Sequence, residues 1–198
     1  MNSSTLETAP SQSLTAAELE QARFYLQLTR NYVVGSVKGL SETQWKFKPA
    51  PDRWSIAQNL EHMVFIHELV LGSILEKVAT APAPPADRDC KLVDEIVIHQ
   101  FPDRRNRFNP EIPKPAGDWA LAAALDRLFK NYERSVEFLE STPDLREHVV
   151  EAPPLKAATK GVYDSMDGYQ WVLAAAAHNE RHCKQILEVK SDPAFPAN

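Results

Sequence analysis

Apolar residues along this chain recur at helical spacing and are separated by proline-rich stretches. Between 121 and 139, Leu121, Leu125, Leu128, Phe129, Tyr132, Val136 and Leu139 fall at i, i+3/i+4 intervals, which places them on one face of an α-helix. Leu19, Phe24, Leu26, Tyr32, Val33 and Val37 form a looser amphipathic stripe. The stretch WSIAQNLEHMVFIHELVLGSILEKV, Trp54 to Val78, is apolar nearly all round. Such a helix is contacted on two sides, either by its own bundle and a subunit partner or by the long loops.

The 15 prolines leave four windows free of proline, 15–39, 54–79, 118–141 and 165–190. Proline inside a helix removes a hydrogen bond and clashes with the preceding turn, so each window predicts a helix of about 37 Å. Four helices of similar length predict an all-α four-helix bundle. Thr15 with Glu18, and Ser55 with Gln58, have the form of capping boxes at the first two starts. Asp118 is the expected cap of the third helix, and Asp167 or Ser165 that of the fourth.

The connections are unequal. Segment 40–53 is short, with a possible helical turn at Ser41–Trp45. Segment 80–117 is long and proline-rich, and within it Leu92–Gln100 reads as a short helix or an irregular strand. A long connection after the second helix fits a crossover spanning the length of the bundle. Segment 142–164 is a second long loop. No internal repeat or low-complexity segment is visible, and the reading is one domain over 1–198 with flexible ends at 1–12 and 193–198.

Composition narrows the function class. The chain has 198 residues, 43% apolar and 25% charged, the balance of an ordinary globular domain. Its net charge of −5 gives no electrostatic reason to expect nucleic acid. No apolar run approaches the roughly 18 residues of a membrane span. The start, MNSSTLETAPSQSLT, lacks the basic and hydrophobic regions of a secretory signal. Two cysteines, Cys90 and Cys183, are too few for a disulfide framework. The expectation is a cytoplasmic protein with a small-molecule substrate.

The candidate chemistry lies in the histidines at 62, 67, 99, 148, 178 and 182. His178 and His182 are four apart, so their side chains share a helical face one turn apart and can bind one divalent ion. The sequence there is HNERH, with Asn179 where HExxH proteases carry their catalytic Glu, which argues against a zincin mechanism. Projection puts Trp171, Ala174, Ala175, Gln185 and Val189 on the same face; the small residues leave room beside the imidazoles. In the second window His62 and His67 lie nearly opposite one another, so only one of them readily faces a given neighbour. The pattern alone leaves open which one. A third imidazole would complete three protein ligands with an open position, the usual form of a catalytic metal site.

Trp54-Ser55 opening the second helix, His62 eight residues later in DRWSIAQNLEHM, and His178-x-x-x-His182 in HNERHCKQI together resemble the DinB/YfiT-like metalloenzyme family over roughly 15–190. The resemblance implies a four-helix bundle with a long crossover. It also implies a divalent ion, often nickel or zinc, between the second and fourth helices, with His62, His178 and His182 as ligands. Homodimers are common in that family, and characterised relatives include bacillithiol transferases and mycothiol-dependent isomerases. Loops 80–117 and 142–164 depart from the family pattern, so substrate does not carry over.

A divalent ion on three neutral imidazoles keeps its charge and can lower the pKa of a bound water or thiol, or polarise a carbonyl. A low-molecular-weight thiol would be a natural fourth ligand. Gln58, Asn59, Glu61, Gln185 and Asp167 are candidates to hold the outer ring nitrogens. Trp45 and Trp54 read as packing residues, His67 as packing or interface, and Cys183 as a buried structural thiol. Cys90, His99 and His148 read as loop residues, the two histidines facing water. Arg104, Arg105 and Arg107 read as a solvated basic loop. Two functions compete: a metal-dependent transferase or hydrolase, and a non-catalytic metal-binding or stress-response bundle. An enzyme keeps an open position at the metal, whereas a structural site is closed by a fourth side chain.

Overall fold

A computed structural model describes residues 14–106, 114–142 and 144–197. The four expected long helices are present. They are α1 (Ala16–Val37), α3 (Ile56–Leu69), α6 (Leu121–Ser141) and α8 (Gly168–Lys190). Shorter helices lie between them: α2 (Glu42–Lys46), α4 (Leu75–Val78), α5 (Cys90–Gln100) and α7 (Pro153–Ala158). α8 is the central element, packed against α1, α3 and α5, while α6 closes the bundle against α3 and α1. Both faces of α8 are therefore covered, and residues from Gly168 to Ala177 are continuously buried.

Helix starts follow local chemistry. Thr15, Ser41, Ser55 and Asp167 each accept a backbone N–H from the residue three ahead, whose Glu or Gln side chain reaches back to the cap. Asp118, expected to cap α6, does not: Ala120 occupies the cap position with no side-chain hydrogen bond. The backbone N–H groups of Gly117 and Trp119 instead bond both oxygens of Glu61, at 2.7 and 2.6 Å. This clasp on α3 directs the chain into α6 and leaves Asp118 exposed. Gly117 has φ +81°, and a Cβ there would lie 2.8 Å from Gln58 Cγ, so only glycine brings the segment this close.

The window 54–79 is not one continuous helix. After Leu69 the chain makes a π-helical turn, Val70–Ile74, before α4. Gly72 and Ser73 sit in it, and a Gly/Ser pair is a common place for a helix to give way. α3 is flanked by α6 and α8 on its bundle side and by the 115–119 loop through Gln58 and Glu61. Of the two sequence alternatives for its all-round apolarity, the loop accounts for part; Phe65 and Leu69 remain partly exposed.

The long loops hold structure that the proline pattern did not reveal. Leu92–Gln100 lies in α5, the helical alternative. Segment 142–164 carries α7 and β1 (Val149–Glu151), which pairs in a two-stranded antiparallel ribbon with β2 (Ser165–Asp167) at the start of the window expected to be helical, with Val149 opposite Asp167. Three-residue strands are too short to show an alternating pattern in sequence. The ribbon is fastened by the buried Arg146. Its guanidinium bonds Asp94 of α5 at 2.7 and 2.9 Å, Asp167 at 3.0 Å and Glu18 of α1 at 2.7 Å, and lies over the Tyr169 ring. One cation thereby joins α1, α5, β2 and the start of α8.

Residues 193–197, expected to be a loose tail, are seated on α2. Phe195 packs edge-on against Phe47, and Gln44 donates to the Pro196 carbonyl at 2.9 Å. The expected flexible start at 1–12 lies outside the described residues.

Candidate metal centre

His62 projects from the middle of α3 and His178 and His182 from the middle of α8, where the two helices pack together. Their candidate ligand nitrogens all lie within 4.8 Å of one another. His62 Nε2 and His178 Nε2 are 3.1 Å apart, and the three ring centroids are 4.5 to 4.9 Å apart. His67, on the opposite side of α3, does not join them. Its Nε2 faces Ser135 Oγ at 2.8 Å and its Nδ1 faces Asn179 Nδ2 at 3.3 Å. His62 meets the His178–His182 face of α8, whereas His67 is held between Asn179 of α8 and Ser135 of α6.

The donor set fits a divalent ion. Two ligands at 2.0–2.1 Å from a tetrahedral ion stand about 3.3 Å apart, close to the observed 3.1 Å. Burial lowers the His62 pKa to about 4. It also holds His178 and His182 well below the usual imidazole range, with the neighbouring imidazoles and the Arg181 guanidinium adding to the effect. All three rings are therefore neutral at pH 7 and present lone pairs rather than charge. With both Nε2 lone pairs inward, His62 and His178 would share a cation; without one, a proton on either Nε2 makes the 3.1 Å contact a hydrogen bond. Among the described residues no fourth His, Cys, Asp or Glu joins the cluster.

The surroundings orient the set. His182 Nδ1 lies 3.0 Å from Asn59 Oδ1, while Asn59 Nδ2 is held by the Ser55 carbonyl at 2.8 Å. The amide is therefore fixed with its oxygen toward the ring, so His182 carries its proton on Nδ1 and aims Nε2 inward. Of the five candidate partners, only Asn59 has this role. Gln58 bonds the Pro115 carbonyl, Glu61 the 117–119 backbone, Gln185 Arg104, and Asp167 Arg146. The Nδ1 atoms of His62 and His178 are buried without an acceptor among the described residues.

Trp54, read from sequence as a packing residue, is part of the site wall. Its ring stacks on His182 at 5.9 Å and meets His62 edge-on at 4.8 Å. Trp45 does pack, buried, with its indole N–H on the Trp119 carbonyl. Trp171 shares the histidine stripe and is buried, with no partner for its Nε1 among the described residues. Cys183 is a buried thiol pushed up to about 12 by burial, which leaves it protonated and inert. Cys90 is not a loop residue: it opens α5.

His99 faces water as expected, but from α5, paired with Glu95. His148 does not simply face water; its Nδ1 bonds the Ala81 carbonyl at 2.6 Å. Arg104 is no solvated loop residue either. It grips Glu188 through Nε and Nη2, at 3.1 Å each, and Gln185 at 2.9 Å, which brings the 101–106 loop onto α8 one turn beyond His182. Arg107 lies outside the described residues.

Comparison with known proteins agrees with this picture. The uncharacterized protein YuaE of Bacillus subtilis (strain 168) is 25% identical over 155 residues, covering 78% of this chain and 88% of YuaE. The structure of YfiT from Bacillus subtilis, described as a probable metal-dependent hydrolase with an unusual four-helix bundle topology, matches with a TM-score of 0.59 at 15% identity. The match covers 96% of this chain and 95% of YfiT, and at that identity it speaks to the fold. The model of the DinB superfamily matches residues 25–186, a span that contains α3, the three histidines and nearly all of the bundle, and the chain belongs to that superfamily.

Proposed function

We propose that this protein is a metal-dependent enzyme acting on a small-molecule substrate, with His62, His178 and His182 holding one divalent ion, nickel or zinc. The observation that carries the reading is the convergence of three neutral imidazoles with no fourth His, Cys, Asp or Glu closing the set among the described residues. A closed four-ligand site would favour a structural metal; an open one favours catalysis. Bound there, the ion would keep its full positive charge and lower the pKa of a water or thiol, or polarise a carbonyl.

The chain's own residues supply the rest. His62 and His182 are buried and keep bulk water from two sides, whereas His178 is partly open, so substrate approaches past His178. Asn59 fixes the His182 tautomer, and Trp54 forms an apolar wall against His62 and His182. The reaction is hydrolysis or transfer involving a low-molecular-weight thiol. The hydrolase arm is supported by the description of YfiT, and the thiol arm by the affinity of zinc for thiolate.

Elemental analysis of protein prepared without a His tag tests the reading. About one metal per chain is expected, lost in His178→Ala and kept in His67→Ala. Retention of metal in a triple variant lacking His62, His178 and His182 would overturn it.

A further inference from the structure

Arg181 lies between the two histidines of α8 in sequence and within about 60° of His178 around the helix. Its Nη1 donates to the Asp103 carbonyl. Among the described residues no carboxylate pairs with it, although its neighbours are satisfied. Arg104 holds Glu188, Arg53 reaches the same Glu188 at 3.8 Å, and Arg105 holds Asp103 at 2.7 Å. Two carboxylates thus serve three guanidinium groups before Arg181 is counted. In a chain of net charge −5, this corner is locally cationic.

The position matters because Arg181 follows His178 by three residues and precedes His182 by one on α8, at the border of the face that carries them. The Arg181 charge acts on both His178 and His182, and that of Arg104 on His182. The Arg181 side chain is only half-buried, and its Nε and Nη2 have no acceptor in the described residues. Nε–H and Nη2–H form the parallel pair of donors that matches a carboxylate bidentately. A partly desolvated guanidinium beside a second one is costly unless an anion arrives to share it.

We propose that Arg181 anchors a substrate carboxylate beside the three-histidine centre, so that the substrate class is a small carboxylic acid whose reacting group meets the metal. This rests on the metal reading above. It also assigns a role to the 101–106 loop. By gripping Gln185 and Glu188, Arg104 holds that loop against α8, and the Asp103 carbonyl fixes one edge of Arg181 while leaving the other edge free.

Cobalt(II)-loaded protein provides the test, with 3-mercaptopropionate and its neutral isostere 3-mercaptopropionamide as probes and the thiolate-to-cobalt absorption band as the readout. The carboxylate probe is expected to bind about tenfold more tightly than the amide, as a charge-assisted pair contributes. The preference should disappear in Arg181→Gln, be partly kept in Arg181→Lys, and be unchanged in Arg105→Gln. Cobalt content and the ligand-field spectrum of each variant report whether the centre itself is intact. Equal binding of the two probes by the native protein overturns the proposal, as does a preference that survives Arg181→Gln or the lack of any response to either thiol by cobalt-loaded protein. Failure of the native protein to take up cobalt instead overturns the metal reading.

Discussion

His182 Nδ1 and Asn59 Oδ1 face each other at 3.0 Å across the α3–α8 contact. Because Asn59 Nδ2 is committed to the Ser55 carbonyl, the amide cannot turn its oxygen away without losing a buried hydrogen bond. The capping residue of α3 therefore fixes, through one side chain, the tautomer of a histidine on another helix. Asn59→Ala should weaken metal affinity about 10–100-fold, the usual effect of removing such a partner. Titration with zinc against a competing chelator measures it; an unchanged affinity would show that His182 is oriented by packing alone.

Trp54 lies against two of the three imidazoles, so its emission should report on the site. Nickel or cobalt added to metal-free protein is expected to quench tryptophan fluorescence. Trp54→Phe should lose most of that quenching while still binding metal by elemental analysis. Quenching of equal size in Trp54→Phe would place the reporter elsewhere, at Trp171.

Desolvation keeps four imidazoles uncharged, with His62 lowered to about 4, His67 to about 3, and His178 and His182 held well below the ordinary imidazole range by desolvation and by one another. The charges facing them come from Arg134 beside His67 and from Arg104 and Arg181 beside the α8 pair. All of these are positive and oppose protonation. Below about pH 6.5 the unfolded chain takes up protons at these positions and the folded one does not, so stability is full above that pH and declines as pH falls toward 4. The slope is up to about 1.4 kcal/mol per pH unit for each imidazole. Urea unfolding of the metal-free protein at pH 7.5, 6.5 and 5.5 should show a small drop in midpoint over the first step and a clearly larger one over the second. A midpoint that holds to pH 5.5 contradicts the burial.

Arg146 satisfies Asp94, Asp167 and Glu18 together. Arg146→Met leaves Asp94 buried without its cation and Asp167 with only the more distant Arg88, at 3.9 Å, a change that costs about 3–5 kcal/mol. Thermal unfolding is expected to show a large loss of stability, partly recovered by adding Asp94→Asn. A loss under 1 kcal/mol would mean that water reaches the cluster.

Much of this molecule was legible from its sequence because the signals are local. Prolines exclude helix on steric grounds, so their absence from 15–39, 54–79, 118–141 and 165–190 located the four long helices. Thr15, Ser55 and Asp167 cap as expected because a capping box involves only four consecutive residues. The pairing of His178 with His182 follows from helical geometry alone. The choice of His62 came from a family resemblance, because projection left His62 and His67 equivalent.

Tertiary structure decided the rest. Which α3 histidine reaches His178 and His182 depends on how whole helix faces pack: His62 joins them, while His67 is held in the core between Asn179 and Ser135. The place of Trp54 against the imidazoles, the selection of Asn59 among five polar candidates, and the union of Arg146 with carboxylates up to 128 residues away are contacts between segments distant in the chain. Periodicity records only neighbours along a helix, whereas these contacts are set by the free energy of burying polar groups together. They come into existence when the helices pack.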